Sequence, residues 1–215
     1  MSNIIVKKSN IRGQFLSPLI GNYSGDYSFA GAFLARAALD SSVICENLSA
    51  SSQQNGVVVL DIIKNFGATV KRSGDAVNVQ AGKLKGGTFD VGEFPQIAPM
   101  VALLAMFATG KTRIKGFENC QNLQALILDN LRLLDVRCEF NTNDLWIWPQ
   151  KSPDHAVLFA NNHPYMALAL ILISTYTKDD TVIRDIDGLL KRYPDFLDIF
   201  SSLGGEYTLT DSLTL

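Results

Sequence analysis

The sequence predicts an α/β fold of three β-α-β-α-β-β units around a pseudo-threefold axis. Three observations lead there. Apolar helix-like runs recur at 28–39 (SFAGAFLARAAL), 97–108 (IAPMVALLAMFA) and 164–174 (PYMALALILIS). A second, amphipathic run follows each one, and the ends marked by Gly67, Asp135 and Gly204 fall 68 and 69 residues apart. After every such end comes a pair of short alternating segments split by turn residues, the pattern of a β-hairpin. A fixed period of this kind means that one supersecondary unit is being repeated.

The first unit, about 12–80, opens with QFLSPLIGNYS, a strand candidate interrupted by Pro18. Helix 28–39 follows, then the β-branched SVICENL, the amphipathic VVVLDIIKNFG, and the hairpin ATVKR-SGD-AVNVQ. The second unit, about 86–150, runs GGTFDVG, helix 97–108, KTRIKGF, LQALILDNLRLLD, and the hairpin VRCEF-NTND-LWIWP. The third, about 155–215, runs HAVLFAN, helix 164–174, TVIRDID, YPDFLDIFSSLGG, and the hairpin EYTLT-DS-LTL. Glycine suits a left-handed cap at 67 and 204, and Asp135 tolerates one less well. The first helix of each unit is apolar nearly all round, as a helix with no solvent face should be, and the second is amphipathic. The three apolar helices are expected to meet at the centre with the sheets outside. No stretch rich in Gly, Ser or Pro divides residues 1–215, so they read as one domain.

Composition removes several classes. Hydrophobic residues make up 47% and charged residues 19%, which excludes a disordered chain. A net charge of −2 with both signs interspersed lacks the basic footprint of a nucleic-acid binder. The apolar runs are shorter than the ~20 residues that span a bilayer, so no membrane partner is expected. MSNIIVKKSN lacks the apolar core of a signal peptide. Cys45, Cys120 and Cys138 are odd in number and without metal spacing, which points to a reduced, cytoplasmic protein. His155 and His163 cannot form a metal site alone, and no cofactor is implied. ATGKT imitates a P-loop ending, but Ala105 stands where its first Gly belongs and the segment leaves a helix instead of opening one. The sequon NLS at 47–49 stands alone, with no sign of secretion.

Five ordered blocks carry a resemblance: SGDYSFAGAFLARAAL, VVVLDIIKNFGATV, EFPQIAPMVALLAMFATGKTRIKGFEN, NNHPYMALAL and DGLLKRYPDF. Together they resemble the enolpyruvyl transferases, most closely the 5-enolpyruvylshikimate-3-phosphate (EPSP) synthase family, over nearly the whole chain. The sister family acting on UDP-N-acetylglucosamine fits the last two blocks less well. The resemblance implies a two-domain enzyme, each domain built from three such units, in which this chain corresponds to the half that holds the C-terminus. The other half, with its Ser-Ser-Gln segment for shikimate 3-phosphate, is expected outside this chain. The implied reaction is that of 3-phosphoshikimate 1-carboxyvinyltransferase: enolpyruvyl moves from phosphoenolpyruvate to shikimate 3-phosphate, in aromatic amino-acid biosynthesis.

Residue by residue, the family's site is eroded. Gln96 stands at the catalytic Asp position, and an amide cannot serve as a carboxylate base. Leu123, Gln124 and Ile127 stand for a Lys, a Glu and an anion-binding Arg, so charge and fork geometry are lost together. Asn119 matches a substrate-contacting Asn, and is equally a turn residue. His163 matches the family's His but is followed by Pro164 in place of an Arg, and reads as well as a helix cap. Lys191 falls on the Lys that binds phosphoenolpyruvate, and reads as well as a solvated charge ahead of the final helix. No catalytic residue is intact; Lys191, Asn119, His163 and Gln124 are the substrate-binding candidates that the resemblance implies. Two functions stay open: a carboxyvinyltransferase-like protein inactive as the isolated chain, and a non-catalytic binding or assembly module. The implied partners are phosphoenolpyruvate or another small anion, and a second copy or separately encoded domain over the face that the other half would cover.

Overall fold

The computed structural model describes residues 2–20, 24–52, 54–118, 120–141, 143–150 and 156–211. The three apolar runs become α1 (Tyr27–Asp40), α3 (Ala98–Ala105) and α5 (Pro164–Ser174). They pack pairwise against one another at the centre. All eight residues of α3 are buried, as are Met166–Ser174 of α5. α3 stops short of the expected residue 108 because Phe107 and Ala108 bond back three residues, to Leu104 and Ala105, in tighter turns.

The second helices are α2 (Val58–Phe66) and α4 (Gln121–Leu133), and in the third unit a pair, α6 (Asp187–Arg192) and α7 (Phe196–Ser202). α2 buries Val59, Leu60, Ile62, Ile63 and Phe66 and exposes Asp61 and Lys64, as its pattern requires. The third unit departs from the expected single helix because Tyr193 precedes Pro194. Its backbone is forced out of the helical region, to φ −130° and ψ 79°, and the helix breaks there. Lys191 therefore sits in the last turn of α6 and not in a segment leading into a helix.

All three units end their second helix alike. Gly67, Asp135 and Gly204 take φ of 112°, 55° and 94°, and the next residue donates its N–H five residues back, to Ile63, Leu131 and Phe200. This is the same left-handed cap three times, with an aspartate where glycine would be easier.

Three four-stranded sheets surround the helices. In the first, β2 (Gly13–Leu16) lies parallel to β5 (Ser42–Glu46), followed antiparallel by β7 (Ala76–Gln80) and β6 (Thr69–Ser73). A short hairpin, β3 (Leu19–Ile20) and β4 (Ser24–Gly25), leads into α1. The second sheet repeats the order with β8 (Thr88–Asp90), β9 (Thr112–Lys115), β11 (Asp144–Ile147) and β10 (Cys138–Asn141). The third has β12 (Val157–Phe159), β13 (Thr181–Arg184), then β1 (Asn3–Val6), then β14 (Tyr207–Thr210). The inner hairpin place expected of residues 213–215, which lie outside the described residues, is thus filled by β1. Ile4 sits opposite both Ile183 and Leu209, and Ile4 and Val6 are fully buried.

Candidate functional site

The buried helices share a polarity. First-turn residues Ser28 of α1, Gln96 and Ile97 before α3, and Tyr165 of α5 line one small internal cavity of about 10 Å³, so all three helices start at the same end of the core. Beside it opens a cleft of about 620 Å³ whose described lining is Pro95, Gln96, Glu118, Cys120, Asn122, Leu123 and His163. Helix starts bring unpaired N–H groups and partial positive charge to this end.

Gln96 lies in a single 3₁₀ turn, Pro95–Ile97, that leads into α3. Its Oε1 is buried with no hydrogen-bond partner among the described residues. A buried acceptor without a donor costs about 1–3 kcal/mol. The residue is thus neither a base nor a satisfied helix cap.

His163 is the N-cap of α5, with its Nδ1 accepting the Met166 N–H at 3.2 Å. An accepting Nδ1 leaves the ring proton on Nε2. Burial pushes its pKa below the ordinary histidine value, so the ring is a neutral capping group. The turn before it holds Asn161 and Asn162 at φ 47° and 57°. α6 packs onto that turn so closely that a Cβ on Gly188 would lie 1.8 Å from the Asn162 carbonyl oxygen; only glycine fits there.

The structure brings Gln96, Leu123 and His163 into one cleft. It does not bring Gln124 or Lys191 among the described lining residues: Gln124 is half-buried on α4, and Lys191 is exposed on α6. Asn119 lies outside the described residues. Leu123 and Ile127 are 8% and 1% exposed, so the positions matched to a lysine and an arginine now belong to the core.

Sequence reasoning missed Glu118, Cys120 and Asn122. Glu118 Oε1 accepts from Asn143 Nδ2 at 3.1 Å. The Cys120 thiol pKa is pushed up by burial and then by the charge of Glu118, which disfavours the thiolate. No Lys or Arg is among the described lining residues. Among the described residues no group of His, Cys, Asp and Glu is placed to hold a metal ion, and no helix is long and apolar enough to cross a membrane. The cleft can offer hydrogen bonds; its described side chains include no cation to neutralise a phosphate.

The family model described as EPSP synthase (3-phosphoshikimate 1-carboxyvinyltransferase) matches residues 11–200. The chain is similar to the 3-phosphoshikimate 1-carboxyvinyltransferase of Clostridium perfringens, 27% identical over 94% of this chain and 50% of that protein. Those of Methanocaldococcus jannaschii and Thermococcus kodakarensis are 30% and 31% identical, over 84% and 81% of this chain and 43% and 44% of theirs. The chain thus spans about half the length of the curated relatives it matches. Among solved structures, an EPSP synthase from Acinetobacter baumannii superposes with a TM-score of 0.76 at 18% identity, over 87% of this chain and 47% of that one. The enolpyruvyl transferase NikO from Streptomyces tendae superposes at 0.69 and 20%, over 87% and 44%. Both show the fold.

Proposed function

The chain belongs to the EPSP synthase family, and on that premise we propose that it is a 3-phosphoshikimate 1-carboxyvinyltransferase-like half that, by itself, transfers no enolpyruvyl group. One observation carries the reading: the cleft at the helix starts presents an amide, Gln96, where the family has its catalytic carboxylate, and no described cation lines it. The transfer develops charge on a leaving phosphate and moves protons at two centres, so it needs fixed cations and a carboxylate. Neutral His163 and hydrogen-bonded Glu118 supply neither an anion clamp nor a base aimed at a substrate hydroxyl. The retained fold supports a role in binding. The shared face would be the one where the helices begin, covered by a second copy or by a separately encoded domain. A cytoplasmic, shikimate-pathway setting follows from the same premise.

The test is an assay of the purified chain with phosphoenolpyruvate and shikimate 3-phosphate, following phosphate release and product by mass spectrometry. We expect no turnover. Gln96→Asp should also give none, because it restores a carboxylate and no cation. Product above background from the chain alone would sink the proposal. Adding the complementary half of the Clostridium perfringens relative tests the binding-half reading directly.

A further inference from the structure

The second sheet repeats the strand order of the first but not what it shows to solvent. Its third strand, β11, turns Leu145 and Ile147 into the core, so Trp146 and Trp148, just past the strand, alternate to the outer face. They are the only tryptophans in the chain. In the first sheet the matching strand, β7, buries Val77 and Val79 and leaves Asn78 and Gln80 in those outer places. Trp146 sits opposite Arg113 and Glu139, where Asn78 sits opposite Ile44 and Lys71. Small polar residues satisfy this row of the fold, so the core does not require the two indoles.

Cations stand over both rings. Lys111 Nζ lies 3.8 Å from the Trp146 ring centroid and 4.5 Å from that of Trp148. The guanidinium carbon of Arg113 is 5.3 Å from the Trp146 centroid, and that of Arg137 is 4.3 Å from the Trp148 centroid. All four distances are within the reach of a cation–π contact. Long side chains settled on rings have less freedom left to lose when a partner arrives. Arg113 is neutralised by its ion pair with Asp144. Arg137 reaches Glu139 at 3.5 Å, but the two side chains are 68% and 63% exposed, so water and salt screen the pair. Lys111 is exposed and has no acidic partner among the described residues; nor has exposed Lys85, whose backbone pairs with Thr109 beside it. A chain of net charge −2 thus carries a local excess of positive charge at this end of one sheet.

We propose that this end of the second sheet's outer face docks an acidic segment of another polypeptide, whose carboxylates meet Lys111, Arg137 and Lys85 over the edges of Trp146 and Trp148. Tryptophan and arginine are the side chains that most often dominate a protein interface, and unpaired cations select a partner of opposite sign. Single-stranded nucleic acid is the other polyanion to weigh. It binds by stacking bases on free aromatic faces, and here cations already stand over both rings. None of these residues is among the described lining of the cleft at the helix starts, so the proposal is independent of enolpyruvyl transfer.

Both tryptophans belong to the surface, so their emission reports on it directly. The experiment titrates the full chain with a short peptide alternating Glu and Gly, following tryptophan emission, heat and amide shifts. Saturable binding is expected at low salt, roughly millimolar or tighter, with shifts at residues 111–113, 137–139 and 146–148 and weakening as salt is added. The same peptide with Gln for Glu should give no saturable change. Lys111→Glu should weaken binding about tenfold or more, and Trp148→Gln, which installs the residue type of the first sheet, about threefold or more. Lys8→Gln, at an exposed lysine beyond β1, should leave the affinity within about twofold. Melting curves establish that each variant is folded, and Lys111→Glu, a change at an exposed position, carries the test if Trp148→Gln is not. Absence of saturable binding, unchanged affinity in Lys111→Glu, an equal loss in Lys8→Gln, or tighter binding of an oligothymidylate of matched charge would each overturn the proposal.

Discussion

At the end where α1, α3 and α5 finish, Arg36 is fully buried, yet its Nε donates to Thr175 Oγ1 at 2.6 Å, its Nη1 to Asp40 at 2.6 Å and its Nη2 to the Ser9 carbonyl at 3.1 Å. At the end where they begin, Gln96 keeps a buried carbonyl oxygen that no donor among the described residues reaches. A cation at helix C-termini meets their partial negative charge. Tyr176 and Phe107, the aromatic residues just past α5 and α3, pack edge to face nearby, with Arg36 over the Tyr176 ring. Both ends carry clefts of similar size, about 620 Å³ at the start and about 640 Å³ beside Asp40 and Arg12 at the finish. Volume therefore does not mark the functional end. Nor does pairing alone, since Ser174 Oγ at the end of α5 and Thr112 Oγ1 just past α3 are also buried without a partner among the described residues; the instructive contrast is between two groups, an Arg36 held by three hydrogen bonds and a Gln96 oxygen held by none.

The largest effect should come from breaking the satisfied group. Arg36→Ala removes a fully buried side chain and three hydrogen bonds, and is expected to cost about 3–5 kcal/mol. Urea unfolding measures it. A cost under about 1 kcal/mol would mean that the arginine is incidental to that end. Next comes the shaft that joins the two ends. Leu104 and Leu170 are 1% and 0% exposed, so Leu→Ala at either should cost about 2–5 kcal/mol. A value near zero would contradict a core made by the three helices.

Much of this architecture could be read from periodicity, because each unit repeats the same order of apolar helix, strand, amphipathic helix and hairpin. The left-handed caps at Gly67 and Gly204 were legible in the residue type, and Asp135 only through its place in the period. The origin of the third sheet's inner strand was not. NIIV is four residues long, and its partners at Ile183 and Leu209 lie at the far end of the chain, so a period counted along the sequence has no place for it. The turn residues DS before LTL gave a local hairpin reading of the same slot. The cleft was partly legible: resemblance pointed to positions 96, 123 and 163, and helix-start chemistry gave His163 its cap. The tie between the end of α6 and the start of α1 was illegible, because it is made by the Tyr193 hydroxyl donating to Asp26, 167 residues earlier in the chain.

A smaller effect, opposite in sign, should come from the unsatisfied amide. Gln96→Leu keeps the volume and removes the orphaned acceptor, so it should be neutral to stabilising by about 1 kcal/mol. Set beside Arg36→Ala, it makes the comparison sharp: loss of a satisfied buried group destabilises, and loss of an orphaned one relieves. A loss of stability above about 1 kcal/mol in Gln96→Leu would mean that the amide is paired after all, for instance to a water in the small cavity it shares with Ser28 and Tyr165, and the two ends would then follow one rule.

The smallest effect is a slope in pH, and it too belongs to the starting end. His163 caps α5 through an unprotonated Nδ1, and burial lowers its pKa. Protonation would place a proton between Nδ1 and the Met166 N–H, breaking the cap, and would set a positive charge at the positive end of a helix. The unfolded chain titrates this histidine near about 6.5. Between that value and the lower folded pKa the unfolded state binds more protons, so stability rises with pH there. The contribution is fully present above about pH 6.5 and is lost as pH falls through the folded pKa. His163→Asn supplies a capping oxygen that does not titrate. Urea midpoints of the two proteins should therefore converge or cross as the solution is acidified from about pH 7.5 to pH 5, with the wild-type chain losing more. Parallel curves over that range would mean that His163 is charged or unpaired in the folded protein. The start of α5 would then carry a cation, and the pairing there would have to be drawn again.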